Sequence, residues 1–177
     1  DDAPDEGYCG ESSIQMVLAY KGVYKTQKEI NKAGNPKHPD LYSNELVPAI
    51  ENVTNKEYNG YEMKFYDNHA INYIRREIDN NNPLIVMFKL NPSKNAHWWA
   101  DHVSVVNGYD ENGLYILTTW DENPRIYRTF EQLSAYDLYT EDRYEGYSFQ
   151  NIDPQWDKWS LNVFIIAITK NNSNWNR

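Results

Sequence analysis

Along the first half of the chain, apolar residues recur every three or four positions. Ile14, Val17 and Leu18 predict an amphipathic helix of about three turns over Cys9–Tyr20, with Gly22 stopping it just beyond its end. Thr26 and Glu29 stand at capping-box spacing, so a short helix reaching about Lys32 follows, and then a loop rich in Gly, Asn and Pro over residues 34–40. Leu46, Ala49, Ile50 and Val53 mark a third helix with Ser43 or Asn44 as its cap. Asp67 leads a fourth, whose buried face is expected to carry Ile71, Ile74 and Ile78, and the run Asn80-Asn81-Asn82-Pro83 ends it. One short strand is expected near residues 63–66.

The pattern changes at Pro83. Residues 84–88 form a continuous apolar run of strand length. Residues 102–106 and 114–117 flank Gly108-Tyr109-Asp110-Glu111-Asn112-Gly113, turn chemistry that predicts an antiparallel hairpin. Residues 161–168 supply a closing strand and residues 129–135 a short helix, while residues 136–159, aromatic and acidic, give no assignable period. No internal repeat or linker interrupts the chain. A single α+β domain over residues 1–177 is expected, with a helical half first and an antiparallel sheet second.

Composition supports a packed protein and narrows its partners. The chain has 177 residues, long enough to bury roughly 68–70% of its unfolded surface without staples. Its single cysteine permits no internal disulfide, and fifteen Tyr and six Trp give the core an aromatic character. A formal charge of −9 repels phosphate backbones and anionic lipid, so nucleic acid is not an expected partner. The longest apolar run, residues 163–168, is far short of the roughly 18 residues that span a bilayer, so no membrane association is expected either. The opening at Asp1 and the Asn-x-Ser/Thr triplets at Asn52 and Asn171 lead to the expectation of a mature secreted product, its triplets glycan acceptors if it passes through a eukaryotic pathway.

The chemistry centres on Cys9, which falls where the first helix begins. Unpaired N–H groups at a helix N-terminus stabilise a thiolate and can lower its pKa from about 8.5 toward roughly 3.5–7.5 when cationic neighbours help. A lone cysteine is more often a buried, inert thiol, so the reading depends on a base. The chain has four histidines. His38 in a Pro-flanked loop and His69 in a helix read as satisfied polar residues, and His97 precedes Trp98-Trp99 in a loop. His102 differs, because it opens a buried strand directly after that loop, a position that can project an imidazole rigidly from a sheet edge.

Cys9-Gly10-Glu11-Ser12-Ser13-Ile14-Gln15-Met16-Val17-Leu18 with Tyr20-Lys21-Gly22, followed by Asp101-His102-Val103-Ser104-Val105-Val106-Asn107-Gly108-Tyr109-Asp110, resembles the papain-like cysteine peptidases of the bacteriocin-processing, double-glycine type. The resemblance spans residues 6 to about 124. It implies a papain-like fold with Cys9 as nucleophile, His102 as general base and acid, and Asp121 as the carboxylate orienting the imidazole, with Asn123 as substitute. It also implies a peptide or protein substrate, cleaved at a peptide or amide bond without a cofactor or metal. Tyr8, Trp98 and Trp99 are candidate walls of the substrate groove.

The family's Gln about six residues before the nucleophile, an oxyanion donor, is absent: Ala3 occupies that position. Loss of one such donor typically costs about 2.7–4 kcal/mol. Asp1, Asp2, Asp5, Glu6 and Glu11 surround Cys9 in sequence instead and oppose a thiolate, although a protonated Asp5 or Glu6 could donate to an oxyanion at acidic pH. Two alternatives therefore stand beside hydrolysis. One keeps the fold as a secreted binding protein, and the other transfers the acyl group from the same thioester to an amine. His97, Asp101 and His102 lack the helical spacing of hydrolytic zinc sites, and residues 110–113 read as a turn, not as a calcium loop.

Overall fold

A computed structural model describes residues 8–65, 69–91, 100–119, 123–134, 146–151 and 161–171. Helix α1 (Cys9–Tyr20), α2 (Gln27–Gly34) and α3 (Ser43–Val53) come first, then strand β1 (Tyr58–Phe65) and α4 (His69–Asp79). Strands β2 (Leu84–Asn91), β3 (Ala100–Tyr109), β4 (Gly113–Leu117) and β5 (Arg125–Thr129) follow, then α5 (Phe130–Ser134), β6 (Gly146–Asn151) and β7 (Leu161–Lys170). This is the α+β order that the periodicity predicts. The chain clusters into two compact units, Asp1–Glu62 with Ile166–Arg177, and Met63–Ile165. The division falls inside β1 and β7, not in a linker.

In the first unit, α1 begins without a side-chain cap, and Gly22, at φ 81°, takes the left-handed conformation after its end. The capping box of α2 is present: the Thr26 N–H donates to Glu29 Oε2 at 2.8 Å, and the Glu29 N–H donates to Thr26 Oγ1 at 3.2 Å. Helix α3 starts one residue earlier than its polar residues suggest, with Tyr42 as N-cap in place of Ser43 or Asn44, because Glu45 Oε2 accepts the Tyr42 N–H at 2.8 Å. Ile14, Val17, Leu18, Ile30, Leu46, Ala49 and Ile50 are fully buried. Each such large aliphatic side chain contributes about 1.5–3 kcal/mol by leaving water.

In the second unit, α4 buries Ala70, Tyr73, Ile74 and Glu77, while Ile71 and Ile78 stay half-buried, so its inner face is rotated from the expected isoleucine stripe. The sheet order is β1-β7-β6-β2-β3-β4-β5, with β7 also pairing β2. Strand β2 pairs antiparallel with both β3 and β6, and the predicted hairpin joins β3 to β4 with a register shift between Val106 and Gly108. Asp110 makes the turn as anticipated: its Oδ1 accepts the N–H groups of Asn112 and Gly113 at 2.8 and 2.9 Å and the Tyr127 hydroxyl at 2.8 Å.

The sequence pattern did not show three features. Strand β1 begins at Tyr58, five residues before the expected start near residue 63. Strand β5 went unseen because its residues, Arg-Ile-Tyr-Arg-Thr, carry little apolar signal, and it is defined by its ladder to β4. Strand β6 falls inside the unassigned stretch, held by Phe88 opposite Phe149.

Candidate active site

Cys9 is the first residue of α1 and is half-buried. Its carbonyl accepts the Ser13 hydroxyl at 2.7 Å and the Ser12 hydroxyl at 3.2 Å, short-range bonds that satisfy two serines inside a helix. That is how Ser12 and Ser13 can be buried beside Ile14. Tyr8 is the N-cap residue, half-buried, with its carbonyl accepting the Ser12 N–H at 2.8 Å. The thiol therefore leaves a rigid, enclosed first turn, near the positive end of the helix dipole.

Glu11 anchors that turn. It is fully buried, and its Oε1 accepts the Asn31 side-chain amide at 2.8 Å and the Leu41 N–H at 2.9 Å. The same Asn31 nitrogen donates to the Pro39 carbonyl at 2.8 Å. One carboxylate thus ties the start of α1 to α2 and to the loop before α3. Burial pushes the Glu11 carboxyl above its ordinary range, the two hydrogen bonds oppose the rise, and nearby Asp40 adds to it. Gly10 lets α3 approach closely, since a Cβ there would lie 2.6 Å from Leu46 Cδ2.

His102 is the third residue of β3, not the first, and β3 is an interior strand between β2 and β4 rather than an edge. Residues along a strand alternate between faces, and directly opposed residues share one. His102, Ser104 and Val106 therefore share a face with Phe88, Val86 and Leu84 of β2 and with Ile116 of β4, and Thr118, just past the end of β4, continues that row. Phe149 of β6 stands opposite Phe88, with ring centroids 6.0 Å apart. The imidazole is 6% exposed, and burial pushes its pKa down to about 4. Burial thus favours the neutral ring. Thr118 Oγ1 lies 3.5 Å from His102 Nε2.

The remaining expected residues divide clearly. Asp121, Trp98 and Trp99 lie outside the described residues, as do His97, Asp5 and Glu6. Asn123 is described and exposed. Asp101 points to the opposite face of β3 from His102 and pairs with Lys89, so the two cannot act as joint metal ligands. Among the described residues no group of His, Cys, Asp and Glu is placed to hold a metal. His38 sits between Asp40 and Glu45 and stacks on Tyr42, and His69 is exposed at the start of α4. The Asn52 amide donates to the Ala33 carbonyl at 3.0 Å, and the Asn171 amide to the Lys56 carbonyl at 2.9 Å. No helix among the described residues is long and apolar enough to cross a membrane.

Sequence reasoning missed Thr118 and the anchoring part of Glu11. A period-two count from His102 across the hairpin would have placed Thr118 on the histidine's face, but only once the register was known. Glu11 carries no such signal, since its partners lie 20 and 30 residues away.

Comparisons with known proteins agree with this architecture. The structure is similar to the crystal structure of a Bacillus anthracis protein assigned as a C39-like peptidase, with a TM-score of 0.51 and 11% identity over 92% of this chain and 88% of that one. The likeness is one of fold. A search of the curated proteins finds no match. The model of the Peptidase_C39 like family matches residues 1–152, most of the chain and both segments that carry Cys9 and His102, so the protein belongs to that family of papain-like cysteine peptidases.

Proposed function

We propose that the protein is a cysteine hydrolase acting on a peptide or amide bond of a peptide or protein substrate outside the cell, with Cys9 as nucleophile and His102 as proton carrier. Cys9 Sγ attacks the carbonyl carbon while His102 takes the thiol proton. The imidazolium then returns that proton to the leaving amine, and a thioester forms. Water, deprotonated by the same imidazole, attacks the thioester and releases the acid. Asp121 is the carboxylate of the triad, and Tyr8, Trp98 and Trp99 line the groove.

The observation that carries the reading is His102, a buried histidine on an interior strand, in a C39-like chain whose single cysteine begins a helix. Burial holds the ring neutral, so the thiol proton is transferred as the attack occurs, and a resident imidazolium is not required. The Cys9 N–H at the helix start supplies one oxyanion donor. The Ala3 position lacks the family's Gln, and this favours a second reading, a catalytically weak binding protein on the same fold. Transfer to an amine follows from the thioester if an amine outcompetes water.

The test is the rate of Cys9 alkylation against pH in the wild type and in His102→Ala, with hydrolysis of a peptide library in parallel. The expected result is loss of peptide hydrolysis in both Cys9→Ala and His102→Ala and a thiol reactivity that depends on His102. A thiol titrating near its ordinary value of about 8.5 and indifferent to His102 would favour the binding protein. Activity confined to acidic pH would point instead to Asp5 or Glu6 as a protonated oxyanion donor.

A further inference from the structure

Helices α1, α2 and α3 each carry a glutamate as their third residue: Glu11, Glu29 and Glu45. In α2 and α3 that carboxylate serves its own helix, since Glu29 Oε2 accepts the Thr26 N–H and Glu45 Oε2 accepts the Tyr42 N–H, both at 2.8 Å. Glu11 is used otherwise. Its Oε1 accepts the Asn31 side-chain amide at 2.8 Å and the Leu41 N–H at 2.9 Å, bonds that reach 20 and 30 residues along the chain. Its Oε2 is buried with no hydrogen bond among the described residues. Burying a carboxyl with one oxygen unsatisfied costs free energy that an exposed capping box avoids. What the burial provides is a fixed place for the turn that begins at Cys9. Gly10 seats the same turn against α3, where a Cβ would lie 2.6 Å from Leu46 Cδ2.

We infer that Glu11 is the positioning residue of the nucleophile: by bonding to α2 and to the loop before α3, it sets where the first turn of α1 holds the Cys9 thiol. This rests on the reading of Cys9 as the nucleophile. Glu11 acts through the backbone, because Cys9 and Glu11 are the first and third residues of one helical turn and a displacement of either carries the other with it. Its two donors belong to different elements, so the turn is held at two points. A misplacement of about 1 Å in a reacting group can cost about a hundredfold in rate. The carboxylate that the sequence sets among the acidic neighbours of the thiol is, on this reading, what keeps the thiol in place.

The experiment measures kcat and KM on a peptide that the wild type hydrolyses, and Cys9 alkylation by iodoacetamide against pH, in the intact wild type, Glu11→Ala, Glu11→Gln, Asn31→Ala and Thr26→Ala. Urea midpoints identify the variants that are folded in the assay. Glu11→Ala is expected to lose about a hundredfold in kcat with KM within about twofold of wild type, and to shift the alkylation profile. Glu11→Gln removes the charge but keeps an acceptor for Asn31 and Leu41, and it is expected to recover most of both. Asn31→Ala, which removes one of the two donors, should lie between them and takes the place of Glu11→Ala if that variant does not fold. Thr26→Ala lowers stability away from the turn and should leave kcat as it was. Wild-type kcat and alkylation in the folded variant of the tie would overturn the inference. Equal losses in Glu11→Gln and Glu11→Ala would overturn it in favour of charge, and an equal loss in Thr26→Ala would overturn it in favour of stability alone. If the wild type shows no Cys9-dependent hydrolysis, the proposed hydrolase fails and the alkylation profile decides the inference. A profile shifted in Glu11→Ala and restored in Glu11→Gln then upholds it, and an unshifted one overturns it.

Discussion

Replacing His102 with leucine removes a titration and a polar group from the same buried place, and the two effects can be separated by pH. Burial lowers the folded-state pKa from 6.5 to about 4. Between those values the unfolded chain binds a proton that the folded chain refuses, so stability rises with pH across that window. The contribution is complete above pH 6.5 and is lost as pH falls through 4. At about 1.4 kcal/mol per pH unit, the loss is about 3 kcal/mol, a large part of a typical domain's stability. His102→Leu keeps a buried side chain of similar size but has nothing to protonate. Its stability should therefore decline less steeply from pH 6.5 to 4, whatever its offset at pH 7. Urea unfolding followed by tryptophan fluorescence at half-unit pH steps measures both curves. Carboxylates common to the two proteins, Glu11 included, cancel in the difference. Parallel curves would refute the reasoning, since they would mean that His102 titrates alike in the folded and unfolded chains and is not desolvated.

Other expectations follow from the same geometry. Glu11→Ala strands the buried Leu41 N–H and should cost roughly 1–3 kcal/mol in urea melts, while Glu11→Gln, which keeps an acceptor there, should cost less. Because burial raises the Glu11 pKa, its contribution to stability should grow as pH falls through its folded value, opposite in sign to that of His102, and comparing Glu11→Gln with wild type across pH isolates it. Gly10→Ala forces a methyl against Leu46 and should destabilise by about 1–3 kcal/mol, with a change in Cys9 alkylation rate as the first turn shifts. Thr26→Ala removes the α2 capping box and should lower stability by about 1 kcal/mol, with Cys9 reactivity unchanged. If the proposed hydrolysis holds, the acid limb of kcat/KM in wild type should lie near pH 4 and should disappear with the activity in His102→Ala.

The sequence alone determined the elements whose information is local. The 3.6-residue recurrence of Ile14, Val17 and Leu18 and the Thr26–Glu29 box specify helices with contacts only three or four residues apart. The Asp110–Gly113 turn does the same for the hairpin. Cys9 at the head of α1 was legible for that reason, and the apolar run after His102 marked β3. Tertiary structure decided what depends on pairing across the chain. Strand β5 exists because β4 offers it a ladder, and β6 because Phe88 places Phe149. The inner face of α4 turned to Ala70, Tyr73 and Ile74, since packing partners and not hydrophobicity alone choose which side is covered. Glu11, written in the sequence as one more acidic neighbour of the thiol, became a buried tie to Asn31 and Leu41. Thr118 came to face His102 only when antiparallel register fixed which residues share a side, a relation that strand periodicity permits but cannot set.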